Sequence, residues 1–180
     1  MKLLVHVCCG PCAVYPLEQL INRGTELEAL FYNPNIHPID EFNRRKENAQ
    51  ILCDKFGVVL NTTDDFLQEK WEQFDGEESQ RCRMCYSVRL EKTARLAKEN
   101  GFDAFTTTLL VSPYQKHDLI HELGDIYAEK YGLKFHYKDF RPGFREGQNK
   151  ARELGLYRQK YCGCIISYNE SPFTKKKSGV

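Results

Sequence analysis

Short apolar runs alternate along this chain with longer stretches whose apolar residues recur at helical spacing. Residues 3–7 are an apolar run with turn chemistry behind it, the mark of a buried strand. Residues 14–23 carry a helical period and stop at Gly24. Residues 27–32 make a second strand, closed by the turn-formers Asn33-Pro34-Asn35 and His37-Pro38. A helix over 39–56 ends at Gly57, and 58–60 form a third strand. After an irregular acidic stretch come a helix over 86–99, a strand over 104–108, a helix over 116–131 and a strand over 134–137. Strands separated by helical patterns of this length predict βαβ units. The fold class is therefore α/β, a parallel sheet with helices on both faces. Ligands of such sheets bind beyond the carboxyl ends of the strands. The loops after residues 7 and 108 are thus expected to share one pocket.

Composition narrows the class. A chain of 180 residues with 41% hydrophobic and 28% charged residues suits one soluble domain with its own core. Residues 1–172 are assigned to that domain and 173–180 to a basic, flexible tail. No apolar run approaches the ~20 residues that span a bilayer. The apolar start reaches Cys8 too soon for a signal peptide, so the expected location is cytoplasmic, away from membranes. The net charge of +1 is unevenly spread: residues 61–80 hold seven acidic residues and one basic, whereas 138–177 hold ten basic and four acidic. A basic segment on a neutral protein points to an anionic partner, nucleic acid first.

The eight cysteines change the picture most. In a reducing compartment, clustered cysteines are metal-binding or redox-active more often than structural. Seven form three groups: Cys8, Cys9 and Cys12; Cys82 and Cys85; Cys162 and Cys164. Cys53 stands alone in a helical pattern and reads as a small buried hydrophobe. Cys82-Arg83-Met84-Cys85 places two thiols one turn apart at the expected start of a helix, where free N–H groups, the dipole, Arg81 and Arg83 favour thiolate. Cys8-Cys9-Gly10-Pro11-Cys12 needs a turn at the strand end for both leading cysteines to face one centre, and Gly10-Pro11 supplies it. Cys162-Gly163-Cys164 would close a small strained ring as a disulfide, so it reads as a redox-active dithiol or as further ligands. Thiolates suit iron–sulfur cores. A Cys₄ zinc site is the main rival, but it leaves the third pair without a purpose.

Several motifs together resemble the cobalamin-independent epoxyqueuosine reductases: Val7-Cys8-Cys9-Gly10-Pro11-Cys12, the stretch from Arg81 to Leu90, Thr107 to Gln115, Phe140 to Gly147, and Tyr161-Cys162-Gly163-Cys164. The resemblance runs nearly end to end. It implies removal of the epoxide oxygen of epoxyqueuosine at the tRNA wobble position to give queuosine. It also implies a [4Fe–4S] cluster on Cys8, Cys9, Cys82 and Cys85, a redox pair at Cys162 and Cys164, and an additional iron that would give Cys12 a role. The implied fold is similar to the PP-loop/HUP nucleotide-binding fold, with cysteines in place of its phosphate-binding loop, so no ATP is expected.

The expected partners are the anticodon loop of tRNA carrying epoxyqueuosine and an electron donor whose identity the residues leave open. Single-stranded bases stack on aromatics and arginines. Arg141, Arg145, Lys150, Arg152, Arg158 and Lys160, interleaved with Phe140, Phe144, Tyr157 and Tyr161, have that composition. Ser112, Tyr114 and Gln115 follow a strand at the expected pocket rim. Asp118 and Asp40 are candidate proton donors. His117 and His121 have the spacing of a metal pair but lack an evident third ligand. Two other readings stay open: a zinc-stabilised tRNA-binding module, and a thiol–disulfide oxidoreductase working through Cys162 and Cys164 alone.

Overall fold

The structure, a computed structural model, describes residues 1–175. Its centre is a five-stranded parallel sheet, formed by β1 (Lys2–His6), β2 (Glu26–Phe31), β3 (Leu60–Thr62), β4 (Ala104–Thr107) and β5 (Lys134–Phe135) in the order β3-β2-β1-β4-β5. The connecting helices are α1 (Gly10–Asn22), α2 (Ile39–Phe56), α3 (Gln68–Glu72), α4 (Glu78–Glu99) and α5 (His117–Tyr131), followed by α6 (Phe144–Glu153), α7 (Ile165–Glu170) and α8 (Pro172–Lys175). From β1 the chain winds first toward β3 and then, in the other direction, toward β5. Crossovers of one hand on the two halves put helices on opposite faces. Accordingly α1 packs with α2, and α4 with α5. The α/β expectation holds. Leu3, Val5 and Phe105 fill the core from the sheet, and Leu17, Leu52 and Leu90 from the helices.

Differences from the sequence reading have local causes. α1 begins at Gly10, with Cys9 as its N-cap and Pro11 in its first turn, where a missing N–H costs nothing. The third strand starts two residues later than expected because Gly57 and Val58 are used to close α2, Val58 N–H donating to the Cys53 carbonyl at 2.9 Å. α4 starts at Glu78, eight residues before the expected boundary, stabilised by a capping box between Glu77 and Gln80. Cys82 and Cys85 therefore lie inside the helix. The free N–H groups expected to favour their thiolates are a turn away. The short helix Pro172–Lys175 occupies the first residues of the expected tail; the remainder of that tail lies outside the described residues. No helix among them is long and apolar enough to cross a membrane.

α6 carries few apolar residues, yet it packs closely on α1. Gly143, at its start, makes this possible: a Cβ there would lie 2.1 Å from the Tyr15 ring. The contact brings the basic C-terminal segment back across the open end of the sheet.

Candidate active site

The switch point of the sheet lies between β1 and β4, and the loops after these strands meet there. Cys8 N–H donates to the Thr108 hydroxyl at 3.2 Å, and its Sγ lies 3.3 Å from the same oxygen. His6, fully buried at the end of β1, ties three strands together. Its Nδ1 meets the Thr107 hydroxyl at 2.9 Å, and its Nε2 meets the Tyr32 carbonyl at 3.0 Å and Asn33 Oδ1 at 3.1 Å. Burial, with the nearby Arg89, lowers its pKa to about 4, so the ring is neutral and can accept at one nitrogen while donating at the other.

Above this floor opens a cavity of about 1040 Å³. Cys8, Cys9, Cys12, Cys82, Cys85, Cys162 and Cys164 all line it, seven of the eight cysteines of the chain. Cys53 is fully buried in the core, as its pattern foretold, and burial pushes its thiol up to about 12. The sulfurs of Cys8, Cys9 and Cys12 lie within 4.8 Å of one another. Cys12 is thus as close to the leading pair as a ligand would be, closer company than its secondary role in the sequence reading. Hydrogen bonds from the Cys12 and Cys9 thiols, helped by Thr108, hold Cys8 well below the usual thiol range; the same bond with Cys8 pushes Cys12 up. Cysteines bind a metal as thiolates, so a metal at these three sulfurs would displace protons.

The residues flanking Cys82 and Cys85 divide. Arg81 lines the cavity, whereas Arg83 turns outward to Glu122 at 2.8 Å. The cation that reaches the thiols is Arg89, one turn after Cys85 on the same helix face. Its Nη2 is 3.2 Å from Cys85 Sγ and its Nε donates to the Cys85 carbonyl at 3.0 Å. Burial pushes Cys85 up to about 12, with Arg89 pulling the other way. The i, i+4 spacing puts the two residues on one helix face, but it is burial that selects this arginine as the partner.

The Cys162-Gly163-Cys164 segment is held from α2. Arg45, 3% exposed, donates to the carbonyls of Tyr161 and Cys162, both at 2.9 Å, and to Glu41 at 2.9 Å. His37 N–H donates to the Gly163 carbonyl at 2.8 Å, its Nδ1 accepts from Ile165 N–H at 3.0 Å, and its main-chain carbonyl accepts from the Tyr161 hydroxyl. Gly163 adopts φ +147, which favours glycine, and a Cβ there would press on Arg45 Nη1 at 3.1 Å. Cys162 is exposed to the cavity; Cys164 is buried and caps α7, its Sγ accepting from Ser167 N–H.

Of the basic and aromatic residues singled out in the C-terminal segment, Arg145, Arg152, Arg158, Lys160, Phe144 and Tyr161 line the cavity. The others are used elsewhere. Arg141 is paired with Asp139, Lys150 with Glu18, Phe140 is fully buried, and Tyr157 donates to Glu41. Ser112, Tyr114 and Gln115 all line the cavity. Ser112 Oγ accepts from Tyr114 N–H and Gln115 accepts from the Tyr86 hydroxyl, leaving Tyr114 83% exposed at the rim against the edge of Phe144. Asp40 and Asp118 lie on the surface and do not line the cavity. His117 is buried against the Ser112 carbonyl while His121 stacks on Tyr137, so the pair shares no site. On the cavity wall, Trp71 Nε1 and Asn35 Oδ1 are buried without a protein hydrogen-bond partner.

Comparison with known proteins gives a consistent result. A family model described as "Epoxyqueuosine reductase QueH" matches residues 3–170. Proteins of that name from Thermotoga maritima, Dehalococcoides mccartyi and Streptococcus pyogenes are 39%, 34% and 36% identical to this chain. The alignments cover 93%, 94% and 92% of this chain and 91%, 93% and 70% of the relatives. Among solved structures, a deacetylase–teicoplanin complex and a zinc-inhibited teicoplanin deacetylase show TM-scores of 0.52 and 0.53 at 9% identity. Each likeness covers 86% of this chain and, respectively, 86% and 83% of the deacetylase, and at such identity it speaks for the fold alone.

Proposed function

This chain belongs to the epoxyqueuosine reductase QueH family, and from that premise we propose how its cysteines divide the work. The protein is an oxidoreductase that reduces epoxyqueuosine in tRNA to queuosine. Cys8, Cys9, Cys82 and Cys85 hold a [4Fe–4S] cluster, Cys162 and Cys164 are the redox pair, and Cys12 is free to ligate an additional iron beside the cluster. The observation that carries the reading is the convergence of all seven thiols, from three distant segments, on one cavity. The donor set fits: soft sulfurs, a cation at Cys85, and no carboxylate among the lining residues except Glu78 and Glu170.

The reaction needs two electrons and two protons, and the dithiol contains both. Cys162, the exposed member, attacks an epoxide carbon; a C–S bond forms, the C–O bond breaks, and the oxygen takes the thiol proton. Cys164 then attacks the Cys162 sulfur. The S–S bond forms as the C–S electrons become the carbon–carbon double bond and the oxygen leaves with the second proton as water. Epoxide and dithiol become alkene, disulfide and water, and an external donor restores the dithiol. A cluster held by Cys8, Cys9, Cys82 and Cys85 would supply electrons one at a time. Arg45 and His37 keep the pair in register. A reducing cytoplasm, where tRNA resides, suits this chemistry.

The reading is tested by anaerobic purification with a visible spectrum and iron and sulfide analysis. The expected result is a brown protein with about four irons and four sulfides per chain, with iron in excess of sulfide if Cys12 holds another ion. A colourless protein with one zinc would exclude the cluster and favour a tRNA-binding module.

The anticodon loop docks on the rim, where Arg145, Arg152, Arg158 and Lys160 are exposed. Arg152→Ala is expected to weaken tRNA binding and to reduce the slope of log K against log salt by about 1. Arg141→Ala, at a residue already paired with Asp139, leaves both unchanged. Equal slopes for the two variants would place the RNA elsewhere.

A further inference from the structure

We propose that Arg89 is the fixed counter-charge of the cysteine centre, binding the anionic cluster through Cys85 and raising its reduction potential. The inference rests on the cluster reading above and adds a role for a residue that the reaction scheme does not use.

Arg89 is 4% exposed. A guanidinium removed from water to that degree loses several kcal/mol of solvation, and normally an opposite charge offsets it. Arg45, the other buried arginine of the site, follows the rule with Glu41. Arg89 does not: among the described residues no carboxylate lies within ion-pairing distance of it. Its near neighbours of potential negative charge are sulfurs. Cys85 Sγ is in direct contact at 3.2 Å, and Cys8 and Cys162 lie close enough for their charge to act on it.

The geometry is that of a rigid mount. Arg89 stands one turn after Cys85 in a 22-residue helix, so backbone spacing puts the guanidinium within reach of the sulfur. Nε is engaged with the Cys85 carbonyl, which orients the fork and aims Nη2 at the sulfur. The guanidinium also lies over the Tyr86 ring, 5.6 Å from its centroid. Without a metal core, such a cation has no carboxylate among the described residues to answer it. It acquires a partner when the cysteines are thiolates around a metal core of net negative charge. A hydrogen bond and a positive charge at a ligand sulfur stabilise the reduced, more negative state more than the oxidised one. Lysine, a point charge without the fork, would reproduce the charge and lose the aim.

The test compares wild type, Arg89→Lys and Arg89→Met in two states: metal-free protein, followed by thermal unfolding, and cluster-loaded protein, titrated spectroelectrochemically. Metal-free Arg89→Met is expected to unfold at the same or a higher temperature than wild type, because a buried charge without a carboxylate partner is gone and the Cys85 carbonyl sits within a helix. Loaded Arg89→Met is expected to show a more negative midpoint potential, or to fail to retain iron and sulfide, with Arg89→Lys between it and wild type. A wild-type potential in loaded Arg89→Met would overturn the proposal. So would a destabilised metal-free Arg89→Met, which would mark a structural anchor. Weaker tRNA binding with an unshifted potential would also overturn it, assigning Arg89 to a substrate phosphate. A wild-type protein without iron and sulfide would instead remove the cluster reading beneath the proposal.

Discussion

Cys164→Ser is expected to abolish turnover, a loss of about 10³-fold or more, while the visible absorption and iron content stay at wild-type levels. The serine removes the sulfur that must attack the Cys162 adduct, so neither the disulfide nor the alkene can form. The fold is expected to survive. Cys164 caps α7, its Sγ accepting from Ser167 N–H, and serine is a better N-cap than cysteine. The variant should also accumulate Cys162 joined to the nucleoside through a thioether, visible as a covalent tRNA adduct on a denaturing gel. Loss of absorption and iron in Cys164→Ser would make Cys164 a ligand and refute the division of labour. Retained activity would move the electron store elsewhere.

Arg45→Met is expected to destabilise the metal-free protein by about 3–5 kcal/mol, or roughly 10 °C in melting temperature for a domain of this size. The guanidinium is the buried partner of Glu41, which would be left with the Tyr157 hydroxyl alone, and the carbonyls of Tyr161 and Cys162 would lose their donors. Adding Glu41→Leu removes the orphaned carboxylate and should recover much of the stability, as replacing a whole buried pair often does. Activity should not return, because the Cys162–Cys164 segment has lost its mount on α2. Urea unfolding of the two variants alongside a turnover assay decides the matter. A loss under about 1 kcal/mol in Arg45→Met would mean that solvent reaches the pair, and an active double variant would mean that His37 alone holds the segment.

How far the sequence could be read depended on the range of the forces involved. The β1-turn-α1 motif was legible because each part is local. Apolar residues before Cys8 demand burial, and Gly10-Pro11 both turns the chain and opens a helix. The early start of α4 was also written locally, in the Glu77 and Gln80 pair, but that signal lies within an acidic stretch that reads as irregular. α6 was not legible. Its inner face is little more than Phe144, Gly147 and Ala151, and it becomes a helix with a buried side only where Gly143 and Gly147 meet Tyr15 on α1. The same packing sorts the basic residues, turning Arg152 to the cavity and Lys150 to Glu18.

By itself, then, the sequence determined the α/β class, the placing of the chemistry at the ends of β1 and β4, and the cysteine groups that carry it. Hydrophobic period, turn residues and thiol chemistry are properties of neighbours in the chain, and they survive in any context. Tertiary structure alone decided that Cys12 joins Cys8 and Cys9, that Arg83 turns away while Arg89 reaches Cys85, and that Arg45 and His37 hold the last cysteine pair. A buried charge or an unpaired donor has an energy only once its surroundings exist. Arg89 reads as an ordinary helix residue until the fold removes it from water and leaves sulfur as its partner.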